Sequence, residues 1–185
     1  MFLLLLTGVL CGPYKYKLQQ LVNKGVDISN QQCKVFASLK KQNNLFRESI
    51  QIEPISSNKD KYLKKLDEYY KTAKISVAEQ EKWLSTQKEF MNRLDYKFLL
   101  PTSIQELGVL RYEYWKKDND AESALIESYN VYQLNETLAN NLALKSQKLS
   151  QERDSIQEKI DLTLKKYEGN PDWRMKFIKV PQSKC

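Results

Sequence analysis

The stretch KDKYLKKLDEYYKTAKISVAEQEKWLSTQKEFMNRLDYKF, residues 59–98, decides the fold. It contains neither proline nor glycine, so nothing in it breaks a helix. Its apolar residues recur by threes, fours and sevens, at Tyr62, Leu66, Tyr69, Ala73, Val77, Leu84, Met91, Leu94 and Phe98. That spacing puts them on one continuous stripe of a helix about 60 Å long. Gln80 and Gln87 interrupt the stripe, which marks it as a packing face and not a pure leucine seam.

Upstream, Pro54 disfavours helical geometry at Glu53 and ends a helix there. Ser29-Asn30-Gln31-Gln32 has the form of a capping box and predicts that this helix starts at Ser29 and runs to about Ile52. Val35, Phe36, Leu39, Phe46 and Ile50 then lie on or near one face. Residues 14–23 read as a short helix or tether, broken at Gly25. Downstream, Leu100-Pro101 ends the long helix, and Ser103-Ile104-Gln105-Glu106 caps a short one running to Lys117. Asn119-Asp120-Ala121-Glu122 reads as the cap of a last helix that continues to Glu168, with Leu125, Tyr129, Tyr132, Leu138, Leu142, Leu149, Ile156, Ile160 and Tyr167 as its stripe. Gly169-Asn170-Pro171 stops it. In the tail, Trp173, Met175 and Phe177 alternate with Arg174 and Lys176, as in an extended strap.

The resulting expectation is an all-α fold: an elongated antiparallel helical bundle or long hairpin with a short extended C-terminal strap. Residues 1–12 form a targeting segment, 13–168 the bundle, and 169–185 a tail that packs on it. A chain of 185 residues is one domain by length.

Much chemistry is excluded. There is no histidine, which removes His-based acid–base catalysis, Ser-His-Asp and Cys-His nucleophiles, and His-containing zinc motifs. Three cysteines without CxxC spacing build no structural zinc site, and five glycines supply no phosphate-cradling loop. Asp118, Asp120 and Glu122 have the opening spacing of a calcium loop, but Ser123 stands where its glycine and Tyr129 where its glutamate would be. No catalytic residue, cofactor or metal site is expected.

The net charge of +7 is unevenly placed. Residues 13–53 carry seven basic and three acidic side chains, whereas residues 101–168 carry nine and twelve. The bland consequence is attraction between the halves of the bundle. The alternative is an anionic ligand, membrane surface or partner held by Lys15, Lys17, Lys40, Lys41, Arg111, Trp115, Lys116 and Lys117; at residues 14–17 and 111–117 the cations interleave with aromatics. Acidic neighbours such as Glu113 and Asp118 argue against nucleic acid. The long stripes leave room for a coiled-coil homo-oligomer, although their polar interruptions favour intramolecular packing.

The N-terminus Met-Phe-Leu-Leu-Leu-Leu-Thr-Gly-Val-Leu-Cys-Gly has no charge from residue 2 to residue 11. It is shorter than the roughly 20 residues that cross a bilayer and has the length of a secretory signal's apolar core. Gly8-Val9-Leu10-Cys11 resembles a bacterial lipoprotein leader, with Cys11 as the lipid-accepting residue or, otherwise, the point of simple cleavage. The resemblance covers about twelve residues and departs at Leu10, where a smaller residue is usual. It implies an extracytoplasmic, N-terminally anchored protein. Cys33 and Cys185 would then suit one disulfide, closing a loop worth about 4–5 kcal/mol in the chain-entropy model. The sequence as a whole points to a non-enzymatic structural or adaptor protein of a cell-envelope assembly with protein partners.

Overall fold

The computed structural model describes residues 2–50, 59–132 and 134–168. Among these the chain is helical almost throughout and contains no strand. The helices are α1 (Phe2–Ile50), α2 (Lys59–Asn92), α3 (Leu94–Leu99), α4 (Thr102–Val131) and α5 (Glu136–Glu168). Residues 51–58, with the expected stop at Pro54, and the tail from residue 169 lie outside the described residues.

The helices pack in the order α1, α2, α4, α5, each along the next. Side-chain contacts fix each pair as antiparallel. Between α1 and α2, the Trp83 indole donates to the Ile28 carbonyl at 2.9 Å, Ser38 bonds Glu79, and Lys65 pairs with Glu48. Between α2 and α4, Tyr70 stacks on Tyr129 with centroids 3.7 Å apart, and Gln80 donates to the Trp115 carbonyl. Between α4 and α5, Ser128 donates to the Ala139 carbonyl at 2.7 Å, Lys117 pairs with Glu152, and Tyr167 donates to Glu106. The bundle expected from periodicity is thus present in its coarse form.

Several boundaries differ from the sequence expectation. α1 is continuous where two pieces were expected: Pro13 and Gly25 lie within it, and Ser29 is not a cap. The reason is packing. Leu18, Leu21, Ile28 and Val35 are buried along one side of α1, and Gly25 faces the Phe90 ring across α2. Tertiary burial of this stripe outweighs a penalty of about 1 kcal/mol for an internal glycine. Of the expected α1 face, Val35 is buried and Leu39 half-buried, while the side chains of Phe36, Phe46 and Ile50 are not among those described.

The long stripe holds as far as Met91 and then fails. Arg93 is extended, its guanidinium held against Asp95 at 2.5 Å. The register therefore shifts: Leu94 and Phe98 are 74% and 76% exposed, and Tyr96 is buried in their place. Downstream, Asn119 is not a cap. It sits 2% exposed inside α4, which runs unbroken from Thr102 to Val131. The break comes instead at residues 132–135, where the Asn135 carboxamide accepts the Leu138 N–H at 2.9 Å and caps α5. On α5, Ile156 and Ile160 are buried as expected, but Ala139, Ser146 and Thr163 join them, and Leu138 is exposed.

The main core lies where α1, α2, α3 and α4 converge, around Leu18, Leu21, Ile28, Trp83, Leu84, Phe90, Tyr96 and Leu100. Two glycines at this junction are not equivalent. A Cβ at Gly25 would make ordinary contact with the Phe90 ring at 3.5 Å, whereas one at Gly108 would overlap the Tyr96 hydroxyl. Gly25→Ala is therefore expected to stabilise the protein by about 0.5–1 kcal/mol. Gly108→Ala should destabilise it by about 1–3 kcal/mol. Urea-unfolding midpoints of the two variants check the opposite signs.

Candidate functional site

Two features distinguish the interior from a plain apolar bundle. The first is a polar seam. Along α2, the interruptions of the stripe turn inward: Gln80 is 2% exposed, and it donates to the Trp115 carbonyl at 3.1 Å and to Asp118 at 3.5 Å. Glu122, one helical turn further along α4, accepts hydrogen bonds from Gln42 of α1 and the Tyr69 hydroxyl of α2. Gln42, Ser76 and Asn119 are almost wholly buried nearby, and each has a side-chain oxygen without a hydrogen-bond partner among the described residues. Asp118 continues the seam outward, pairing with Arg153 of α5 at 2.7 Å.

Electrostatics follow from this burial. Burial lifts the Glu122 carboxyl above its ordinary value, helped by the charge of Asp118, and the bonds from Tyr69 and Gln42 only partly offset it. The Tyr69 hydroxyl is pushed up to about 12 by burial and by the adjacent Glu122 charge. It is therefore a neutral donor at any physiological pH.

The second feature is a half-enclosed groove of about 480 Å³ bounded by α1, α2, α3 and α4. Val22, Val26, Phe90, Met91, Ile104 and Leu107 form its walls. Trp83 and Trp115 meet edge to face at its base, with ring centroids 6.4 Å apart. Gln87 contributes a buried carbonyl oxygen with no partner among the described residues, and Arg111 stands exposed at the rim.

The residues singled out from sequence do not converge on one site. Lys15 and Lys17 are exposed near one end of α1, and Lys40 and Lys41 are exposed some 23 or more residues along it, a separation of about 35 Å. Arg111 and Trp115 line the groove, whereas Lys116 and Lys117 are engaged by Asp120 and Glu152. Asp118, Asp120 and Glu122, the calcium-like triplet, face three different partners: Arg153, Lys116 and the Tyr69–Gln42 pair. No metal-binding cluster of acids and cysteines is present among the described residues. Cys33 is half-buried on α1, the Cys11 side chain is not described, and Cys185 lies outside the described residues. No helix among the described residues is long and apolar enough to cross a membrane.

The sequence did carry a signal for both features. Gln80 and Gln87 were visible as polar breaks in an apolar stripe, and they proved to be a seam residue and a groove residue. Glu122, Asn119 and Gln42 carried no such mark, because each fits a cap or a solvated face equally well. No family model, no curated protein and no solved structure matches this chain.

The seam makes a testable statement about pH. Because the folded protein raises the Glu122 pKa, it binds the proton more tightly than the unfolded chain, whose glutamates titrate near about 4.3. Stability from this group is fully present below that pH and declines as pH rises through the raised value. Glu122→Gln keeps a hydrogen-bond acceptor and cannot ionise. The parent should therefore lose stability relative to the variant as pH rises above about 4.3, as read from urea midpoints at each pH.

Proposed function

We propose that this chain is a non-enzymatic structural or adaptor protein, positioned outside the cytoplasm, anchored by its N-terminus and built into a cell-envelope assembly. The observation that carries this reading is the uncharged run Phe2–Leu10 followed by Cys11. α1 continues from this run directly into the bundle, so an anchor there would hold the whole domain. The lack of histidine, which removes His-based acid–base and nucleophilic catalysis, supports a role without catalysis. Exposed apolar residues such as Leu94, Phe98 and Leu134 supply surface for protein partners.

The cysteines belong to the same proposal. Cys11 and Cys33 share α1, 22 residues apart, which is about 33 Å along the axis and far beyond disulfide reach. Cys33 therefore pairs within the chain only with Cys185, and the tail then serves as a strap on the bundle. Intact mass of the protein from membrane and soluble fractions of its native host, with and without reductant, tests both parts. A shortened, lipid-bearing membrane species that gains about two mass units on reduction is expected. A full-length soluble species of unchanged mass would overturn the proposal.

A second reading is favoured by Lys15, Lys17, Lys40 and Lys41, which are exposed and form no ion pair among the described residues. In that reading α1 lies against an anionic membrane surface. Binding to vesicles containing anionic lipid should then weaken steeply as the screening length shrinks from about 30 Å to 3 Å, in a sedimentation assay across salt concentrations. Binding that ignores salt would remove this reading.

A further inference from the structure

The polar groups of the groove are placed in a way that apolar packing alone does not explain. Its α4 wall runs from Ile104 through Gly108 and Arg111 to Trp115, a length of about 16 Å on one helix face. Antiparallel α2 runs beside it. Trp83 meets Trp115 edge to face, and the Met91 Sγ lies 3.7 Å from where a Cβ at Gly108 would stand. Gln87 and Arg111 fall between these two contacts, each one helical turn from the tryptophan of its own helix. They therefore stand at the same level of the groove.

At that level the two side chains offer complementary chemistry at different depths. The Gln87 Oε1 is buried and has no partner among the described residues, so it calls for an N–H or O–H donor inside the groove. Arg111 is exposed at the rim and enters no ion pair among the described residues. Of the described residues that line the groove, it alone is charged. To either side the walls are apolar or aromatic, with Val22 and Val26 on α1, Phe90 on α2 and Ile104 and Leu107 on α4. The volume of about 480 Å³ is roughly three times that of a cavity that accepts one benzene ring. Small-molecule sites have this size and this make-up, many apolar contacts around a few polar groups. Water alone satisfies Gln87 but leaves the apolar walls wetted, which is unfavourable.

We infer that the groove is a binding site for a small ring-bearing acid whose N–H or O–H donor stands beside its anionic group. The rings pack on Trp83, Phe90 and Trp115, the donor bonds the Gln87 carbonyl oxygen, and the anion pairs with Arg111 at the mouth. Arylamino acids and ortho-hydroxylated aryl acids have this arrangement. A neutral hydrocarbon leaves Gln87 unpaired, and a cation meets Arg111. The bound acid touches α1, α2 and α4 at once. The inference goes beyond the anchored-adaptor reading and does not depend on it.

The test uses the purified full-length chain and two fluorescent probes. Anilinonaphthalene sulfonate carries three rings and an N–H beside its sulfonate; N-phenylnaphthylamine is the same molecule without the charge. The sulfonate should bind at one site per chain and more tightly than the uncharged probe. Arg111→Gln, at an exposed position, should weaken the sulfonate by about tenfold or more, as expected for the loss of one charge-assisted hydrogen bond. It should leave the uncharged probe unchanged, which also reports that the groove is intact. Bound sulfonate should slow amide exchange in residues 21–32, 83–91 and 104–115 and leave residues 139–163 of α5 as they were. Equal sulfonate affinity in wild type and Arg111→Gln would overturn the inference, as would exchange protection confined to other segments. Exclusion of both probes from the wild type would overturn it too, and would mean that the groove is filled by protein.

Discussion

One buried carboxyl group joins three of the helices. Glu122 of α4 accepts from Gln42 of α1 and Tyr69 of α2, and no other residue in the seam receives side-chain donors from both flanking helices among the described contacts. Apolar helix faces tolerate sliding by a turn, since Leu and Ile fill one another's places with little loss. A buried acid does not, because a slip would leave it without donors in a low dielectric. Glu122 therefore sets the axial register of α1 against α4, although it contributes little net stability itself. The groove lies two to five turns along from it, and its two walls meet only when that register holds.

The same constraint explains why the sequence was legible in some places and not in others. The antiparallel packing of long helices followed from the spacing between Tyr62 and Met91, because a stripe of that length has few other uses. The stop at Leu100-Pro101 was equally plain, since proline acts through local backbone geometry. Asn119 misled because a polar residue before a helical run satisfies a cap and a buried seam by the same chemistry. The true cap, Asn135, was followed by glutamate and threonine and had every local feature of one, but the pattern before it offered no reason to end a helix. Gly25 misled in the opposite direction: its preference for a break is about 1 kcal/mol, less than burying Leu21 and Ile28 on either side contributes.

The candidate site was half visible. Arg111 and Trp115 stood out as a cation beside an aromatic and do line the groove. The lysines grouped with them do not, because residues adjacent in sequence point around a helix in different directions. Lys116 and Lys117 turn away to acids on α4 and α5. What periodicity could not supply was the meeting of four separate helices around one recess, which depends on the kink at Arg93 that swings Tyr96 inward.

The contact between Tyr96 and Gly108 has an evolutionary consequence. A phenol hydroxyl occupies the space where any side chain at position 108 would begin, so position 108 cannot gain one while Tyr96 keeps its hydroxyl. A lineage descended from this sequence that gains alanine at 108 must first, or at once, shorten the residue at 96, with phenylalanine the smallest such step. The two positions lie twelve apart and on different helices, yet a side chain at 108 should appear only in descendants that have lost the hydroxyl at 96.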